Sequence, residues 1–337
     1  MDARAIADLG PSLQLAQAYA MTSFSGGRGG PAVSGYGAGG PRIDFSRFDS
    51  VMGAAAGVFP FAPLSYGGLA PSGGLGFEGY AVTDTLARYG KSYPVVLAEV
   101  LGAVRAHVAD RGWAEPVYTV GDEPGESSIP QVLAFADAIR AAGSRTSVFT
   151  SFTSPTEPRA ALAAHVDQVY LSHHSAASLQ AILDQGHDCG TYNLGGRYAR
   201  GLYQFVLRSL GCRAGFYQFA FNSSHGDMYY PLDGREDDLV AALPTATAGT
   251  LVPTLDSERF RESIDDYRYL LALEQALEAP LDAQAAAEAR AWLDGTLEDL
   301  RIGHTELANP PLNDADLDAL RAVARHYILA VQGLPTP

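Results

Sequence analysis

Two adjacent acids, Asp122 and Glu123, end the apolar run Pro116-Val117-Tyr118-Thr119-Val120-Gly121 and are followed by Pro124 and Gly125. A run rich in Val and Tyr reads as a buried parallel strand, and Pro-Gly stops it and opens onto a helix. In α/β barrels the chemistry collects at the C-terminal ends of strands. The pair therefore predicts an enzyme. Hydrolysis of a glycosidic bond ordinarily uses two carboxyl groups that flank it, and Glu123 is the candidate acid/base. The partner acid usually found on a later strand is missing, because neither Cys189-Gly190-Thr191-Tyr192-Asn193-Leu194 nor Gly215-Phe216-Tyr217-Gln218-Phe219-Ala220-Phe221 carries one. A 2-acetamido sugar removes the need for it, since its own amide oxygen can attack the anomeric carbon. Asp122 would then orient that amide and stabilise the oxazolinium, and Tyr192 is a candidate donor to the amide oxygen. The competing reading of the pair is a helix N-terminus that favours acids through its dipole.

Other residues could line a sugar site around the pair. His173 and His174 end one strand, and without a matching third ligand they predict sugar contacts rather than a metal centre. Tyr192 and Asn193 end another. Tyr217 lies on the late strand, and Asn222, His225 and Asp227 follow it in a polar loop. Glu258 and Arg261 are expected to form a polar network beneath the site. Gly26-Gly27-Arg28-Gly29-Gly30 lacks the spacing and the lysine of a phosphate loop, so no nucleotide cofactor is expected. Arg235-Glu236-Asp237-Asp238 reads as a solvated acidic loop rather than a calcium site.

The elements that must position these residues alternate between short apolar strands and helical patterns from about residue 13 to 275, which predicts a parallel α/β sheet. Strands are expected at Leu13–Phe24, Gly57–Pro63, Pro116–Asp122, Arg145–Phe152, Gln168–Ser172, Cys189–Leu194 and Gly215–Phe221. Helices are expected at Asp44–Met52, Tyr93–Asp110, Ile129–Ala142, Ser178–Gln185 and Tyr198–Leu210. The segments Ser25–Pro41 and Leu64–Phe77 read as long Gly-rich loops, of the kind that carry function. These strands predict a (β/α)8 TIM-type barrel lacking its first strand, which either precedes Met1 or is replaced; a doubly wound open sheet is the competing architecture. Three further helices follow. Ser257 caps the first, with a stripe of Phe260, Ile264, Tyr267 and Leu271, and Leu281–Ile302 and Asp314–Val331 complete a C-terminal helical extension. Residues 1–278 are expected to form the barrel and 279–337 a helical cap packed on it.

Bulk properties narrow the partners. The 337 residues are 47% hydrophobic and carry a net charge of −15, with no basic stripe to neutralise phosphates. That excludes nucleic acid and anionic membrane surfaces and favours a neutral carbohydrate substrate. No apolar run approaches the roughly 18 residues that span a bilayer. The two cysteines, Cys189 and Cys212, make no metal site, and the expectation is two reduced, half-buried thiols, with a pairing left open. The opening segment, Met1 to Asp8, lacks the basic start and apolar stretch of a secretory signal. It suits either a cytoplasmic protein or a mature form or fragment of an exported one.

Three stretches carry a family resemblance: Gly121-Asp122-Glu123-Pro124, the strand Gly215-Phe216-Tyr217-Gln218-Phe219 leading to Asn222, and the helix Arg259-Phe260-Arg261-Glu262-Ser263-Ile264-Asp265-Asp266-Tyr267-Arg268-Tyr269-Leu270. Together they resemble the catalytic domain of glycoside hydrolase family 123 and the broader set of proteins labelled DUF4091 that share its barrel, over about residues 90–275. The resemblance implies a retaining, substrate-assisted N-acetyl-β-galactosaminidase or related β-hexosaminidase, with Asp122 and Glu123 as its adjacent Asp-Glu pair. Two features depart from the family. Its usual N-terminal β-sandwich has no counterpart, and Phe219 and Phe221 stand where a late-strand Trp is common. Two alternatives stay open: a glycosidase on sugars without the acetamido group, using an acid such as Asp227, and a non-catalytic carbohydrate-binding barrel.

Overall fold

The computed structural model describes residues 14, 32–37, 39–56, 64–65, 90–192, 196–212, 242–244, 247, 250–300, 302–303 and 310–336. An antiparallel hairpin, β1 (Ala32–Gly37) and β2 (Gly40–Asp44), opens the described chain. It occupies part of the expected Gly-rich loop at 25–41, and its turn uses Gly40 at φ +109°, a conformation that glycine adopts without strain. Helix α1 (Ser46–Ala55) follows. His107 ties it to α2 (Tyr93–Asp110) by bonding Asp49 at 2.6 Å and stacking on Phe45 at 3.7 Å between centroids.

The centre is a parallel sheet. Strands β3 (Leu64–Ser65), β4 (Val117–Asp122), β5 (Thr146–Thr150), β6 (Gln168–Leu171) and β7 (Asp188–Thr191) lie side by side in chain order as five strands. Helix α3 (Ile129–Ala141), a 3-10 segment (Pro158–His165) and α4 (Ala176–Asp184) make the crossovers from β4 to β7. The α/β class and the parallel pairing match expectation. The closed eight-stranded barrel is not seen: among the described residues the sheet is open. The expected strands at 13–24, 57–63 and 215–221 lie outside those residues, apart from residue 14, which is helical.

Strand alternation divides the sheet residues between two faces. Val148, Val169, Leu171 and Cys189 join the core shared with the helices, which includes Val100, Val104, Val132, Phe135, Ile139, Leu179 and Ile182. On the other face Thr119 and Ser147 share a hydroxyl contact of 3.1 Å, and Phe149 stacks on Tyr170 with centroids 4.9 Å apart. That second face is therefore polar and aromatic, unlike the aliphatic face packed on the helices.

Past β7 the expected single helix over 198–210 is two helices, α5 (Gly196–Arg200) and α6 (Leu202–Ser209). The break falls at Gly201, where a Cβ would run into the backbone carbonyl oxygen of Ser263; only glycine lets the two chains approach this closely. Antiparallel β8 (Ala242–Pro244) and β9 (Leu251–Pro253) precede three helices, α7 (Leu255–Glu278), α8 (Ala283–Glu298) and α9 (Asp314–Val331). Thr254 rather than Ser257 caps α7, its hydroxyl accepting from the Ser257 N–H. Asn313 and Asp316 close α9 in a reciprocal capping box. The buried stripe of α7 is Phe260, Ser263, Asp266, Leu270, Leu273 and Leu277, rotated from the expected Ile264–Tyr267–Leu271 face. The rotation brings Ser263 against Gly201 and Asp266 against Arg197.

That rotation also relocates the expected polar network. Arg261 does meet Glu258 at 3.0 Å, but both side chains are more than 40% exposed. The buried network is instead Arg197 on α5, Asp266 on α7 and Arg321 on α9, with Arg197 and Asp266 8% and 0% exposed.

Cys189 on β7 and Cys212 just past α6 form a disulfide with Cα atoms 4.8 Å apart, which corrects the expectation of two free thiols. A gap of 23 residues says nothing about proximity; the return of the chain through α6, whose Gln204 donates to Thr191 at 3.1 Å, creates it. A loop of that size stabilises by roughly 3 kcal/mol through the unfolded chain. Replacing both cysteines by serine is therefore expected to lower the denaturant-derived unfolding free energy by about 3 kcal/mol, with no change in β7 register. An unchanged midpoint would show the bond to be energetically silent. No described helix is long and apolar enough to cross a membrane.

Candidate active site

Asp122 is the last residue of β4, and Glu123 opens the turn after it. The strand carries an irregularity here: Thr119 pairs with Ser147 and Asp122 with Phe149, so β4 has one residue more than β5 over this stretch. An extra residue of this kind bends a strand and re-aims its side chains. Glu123 then takes a left-handed backbone at φ 46°, which costs a side-chain-bearing residue roughly 1–2 kcal/mol. Its N–H still donates to the Phe149 carbonyl at 2.9 Å, so the backbone is held while the carboxylate turns across the strand ends.

It turns toward β6 and β7. The Tyr192 hydroxyl, just past β7, donates to Glu123 Oε1 at 2.7 Å. The Ser172 hydroxyl, just past β6, donates to the same oxygen at 3.3 Å. Ser172 Oγ also lies 3.2 Å from His173 Nδ1. Phe149 packs edge-to-face on the Tyr192 ring, with centroids 5.0 Å apart. Burial, joined by the Glu123 and Asp122 carboxylates, pushes the Tyr192 phenol well above its usual range. Tyr192 therefore remains an O–H donor at any working pH, and both acids act on that one hydroxyl. The side chains of three parallel strands thus meet at one end of the sheet, with Asp122 and Glu123 both exposed there.

The structure brings together Asp122, Glu123, Tyr192 and His173 of the expected site. It places His174 elsewhere. That side chain is 1% exposed and its Nε2 sits 2.6 Å from the Tyr203 hydroxyl, which also accepts from the Gly303 N–H at 3.1 Å. A histidine enclosed in this way anchors the loop after β6 to α6 and offers nothing to a sugar. The neighbouring histidines part here because the strand ends at Leu171, and past it the chain carries His173 toward Ser172 and His174 toward Tyr203. Asn193, Tyr217, Asn222, His225 and Asp227 lie outside the described residues. Ser172 went unnoticed in the sequence; its signal was its place two residues after Tyr170, in the same alternating set as that tyrosine. Among the described residues no group of three or more His, Cys, Asp or Glu could hold a metal ion. A cavity of about 470 Å³ lies between α5 and the start of α9, lined by Arg197, Tyr198, Leu312 and Asp314, and the acid pair takes no part in it.

No protein-family model matches the chain, and no curated protein matches it. Among solved structures it is similar to a family 123 glycoside hydrolase from Clostridium perfringens, described in connection with glycolipid glycan hydrolysis, with a TM-score of 0.57 at 10% identity. The similarity covers 88% of this chain and 57% of that one, so the chain spans little more than half of its length. An endo-β-1,4-mannanase from Thermotoga petrophila aligns with a TM-score of 0.43 at 9% identity, over 77% of this chain and 73% of that one, a likeness too slight to build on. At such identity the first likeness speaks for the fold alone: the chain shares an α/β fold with that protein.

Proposed function

We propose that the chain is a retaining glycoside hydrolase acting on a β-linked 2-acetamido sugar, of the N-acetyl-β-galactosaminidase type, on a (β/α)8 barrel of which β3 to β7 are an arc. The observation that carries this reading is the convergence of hydroxyls from two other strand ends on the Glu123 carboxylate. Strand order supports the barrel, because it runs without reversal, whereas doubly wound sheets reverse at a switch point. Support for substrate assistance comes from the strand ends beside Glu123. The residues following β5, β6 and β7 include Ser151, Ser172, His173 and Tyr192. Glu157, further along the β5 loop, is spent on the Thr153 and Ser154 N–H groups at 2.8 Å each.

In the first step the Glu123 O–H bond breaks and its proton goes to the glycosidic oxygen. The C1–O bond breaks with its electron pair on that oxygen, and the substrate amide oxygen bonds to C1. Asp122 stabilises the positive oxazolinium. Water then attacks C1, returns a proton to Glu123 and opens the ring, with net retention. His173, Asn193, Tyr217, Asn222, His225 and Asp227 are the proposed sugar contacts, and residues 279–337 a helical cap. No metal or cofactor takes part. The Cys189–Cys212 bond fits an oxidising compartment.

The reading is tested by offering 4-nitrophenyl 2-acetamido-2-deoxy-β-galactoside and following the first-formed product by proton NMR. The β-anomer is expected first, and the 2-hydroxy analogue should be inert. An α-anomer, or equal turnover of the 2-hydroxy analogue, rejects substrate assistance. Sugar binding without turnover identifies a binding module instead.

A further inference from the structure

We propose that Ser172 and Tyr192 are positioning residues that dedicate the two oxygens of Glu123 to different tasks, Oε1 to anchoring and Oε2 to moving the proton. This rests on the hydrolase reading above and deepens it. Both hydroxyls reach the same oxygen, at 3.3 and 2.7 Å. A carboxylate oxygen that accepts two O–H donors has its lone-pair directions taken, and protonating it would break one of those bonds. The exchangeable proton therefore sits on Oε2.

The donors are ordered in turn. A serine hydroxyl has one hydrogen, and here it goes to Glu123. The contact of 3.2 Å between Ser172 Oγ and His173 Nδ1 then requires the hydrogen on Nδ1. The result is a chain, His173 N–H to Ser172 O–H to Glu123 Oε1, whose members polarise one another. Tyr192 likewise has one hydrogen and gives it to Glu123, so that hydrogen is not available to a substrate amide oxygen. This revises the role expected for Tyr192 from the sequence. The left-handed backbone at Glu123 belongs to the same device. A strained residue persists where its surroundings over-determine it, and the Phe149 carbonyl on one side and the two hydroxyls on the other do so here.

The test uses Tyr192→Phe and Ser172→Ala in the full chain, with aryl 2-acetamido-β-glycosides of graded leaving-group acidity. A carboxyl that is misplaced as an acid is missed only when the leaving group needs a proton. With a phenyl leaving group kcat is expected to fall about 10–100-fold, a part of what general acid catalysis supplies, with KM within about twofold. With 2,4-dinitrophenyl the loss should stay under about threefold. An equal loss for all leaving groups, or a loss confined to KM, overturns the proposal and makes the two hydroxyls substrate contacts. A second measurement does not depend on turnover. The carboxylate stretch of Glu123, isolated by infrared difference against Glu123→Gln, should shift in both variants. A band that stays in place overturns the assignment even if no glycoside is hydrolysed, whereas a shifted band with no hydrolysis by wild type removes the hydrolase reading and keeps the anchoring of Oε1.

Discussion

Glu123→Gln is expected to reduce turnover of an aryl 2-acetamido-β-galactoside by roughly 10²–10⁴-fold, the range general acid catalysis supplies, while the unfolding midpoint stays within error. Glutamine has the same shape, and its carbonyl oxygen can still accept from Tyr192 and Ser172. What it cannot do is hand a proton to the departing oxygen. The deficit should shrink for a 2,4-dinitrophenyl leaving group, which departs without one. Asp122→Asn should cost about 10²–10³-fold by removing the negative charge beside the oxazolinium, and this deficit should not depend on the leaving group. The two variants thus give different signatures from adjacent residues. Full activity in either, on a confirmed substrate, rejects the assignment of roles.

The largest effect on stability is expected at Asp266. Its carboxylate is fully buried and is gripped by Arg197 through Nε at 2.7 Å and Nη2 at 2.8 Å, with Arg321 Nε at 3.4 Å. Desolvation pushes the Asp266 carboxyl up, against the pull of both arginines, and hydrogen bonding to Asp266 holds the Arg197 guanidinium above its usual value. Asp266→Ala leaves a guanidinium that is only 8% exposed with the exposed Asp318 as its remaining carboxylate, and breaking a buried pair costs about 3–5 kcal/mol. Urea unfolding would read this directly. Removing both charges, as Arg197→Met with Asp266→Leu, should restore most of the loss, since an apolar replacement of a buried pair is often close to neutral. A single substitution costing under about 1 kcal/mol, the range of an exposed pair, would mean that solvent reaches the site.

Local periodicity determined much of this molecule. The limits of α2 at Tyr93 and Asp110 and of α9 at Asp314 and Val331 were legible because helical period and end signals act within a few turns of chain. The acid pair was legible for the same reason, as a strand that stops at Pro-Gly. What lies across the sheet was not legible. Glu123 and Tyr192 are 69 residues apart, as are Arg197 and Asp266, and Glu123 and Ser172 are 49 apart. Strand order and register make those pairs, and a one-residue irregularity in β4 settles where the Glu123 carboxylate points. The stripe of α7 shows the same division. Its helical period was plain, but the buried face is decided by Gly201, which admits the Ser263 carbonyl and so draws Asp266 inside. Sequence determined which residues could carry an acid and which segments could form strands, because those follow from short-range sterics and solvation. Only the tertiary structure decided that Ser172 and Tyr192 share one oxygen of Glu123, that His174 is enclosed and that Cys189 meets Cys212, because each depends on which distant segment the packed sheet and helices bring alongside.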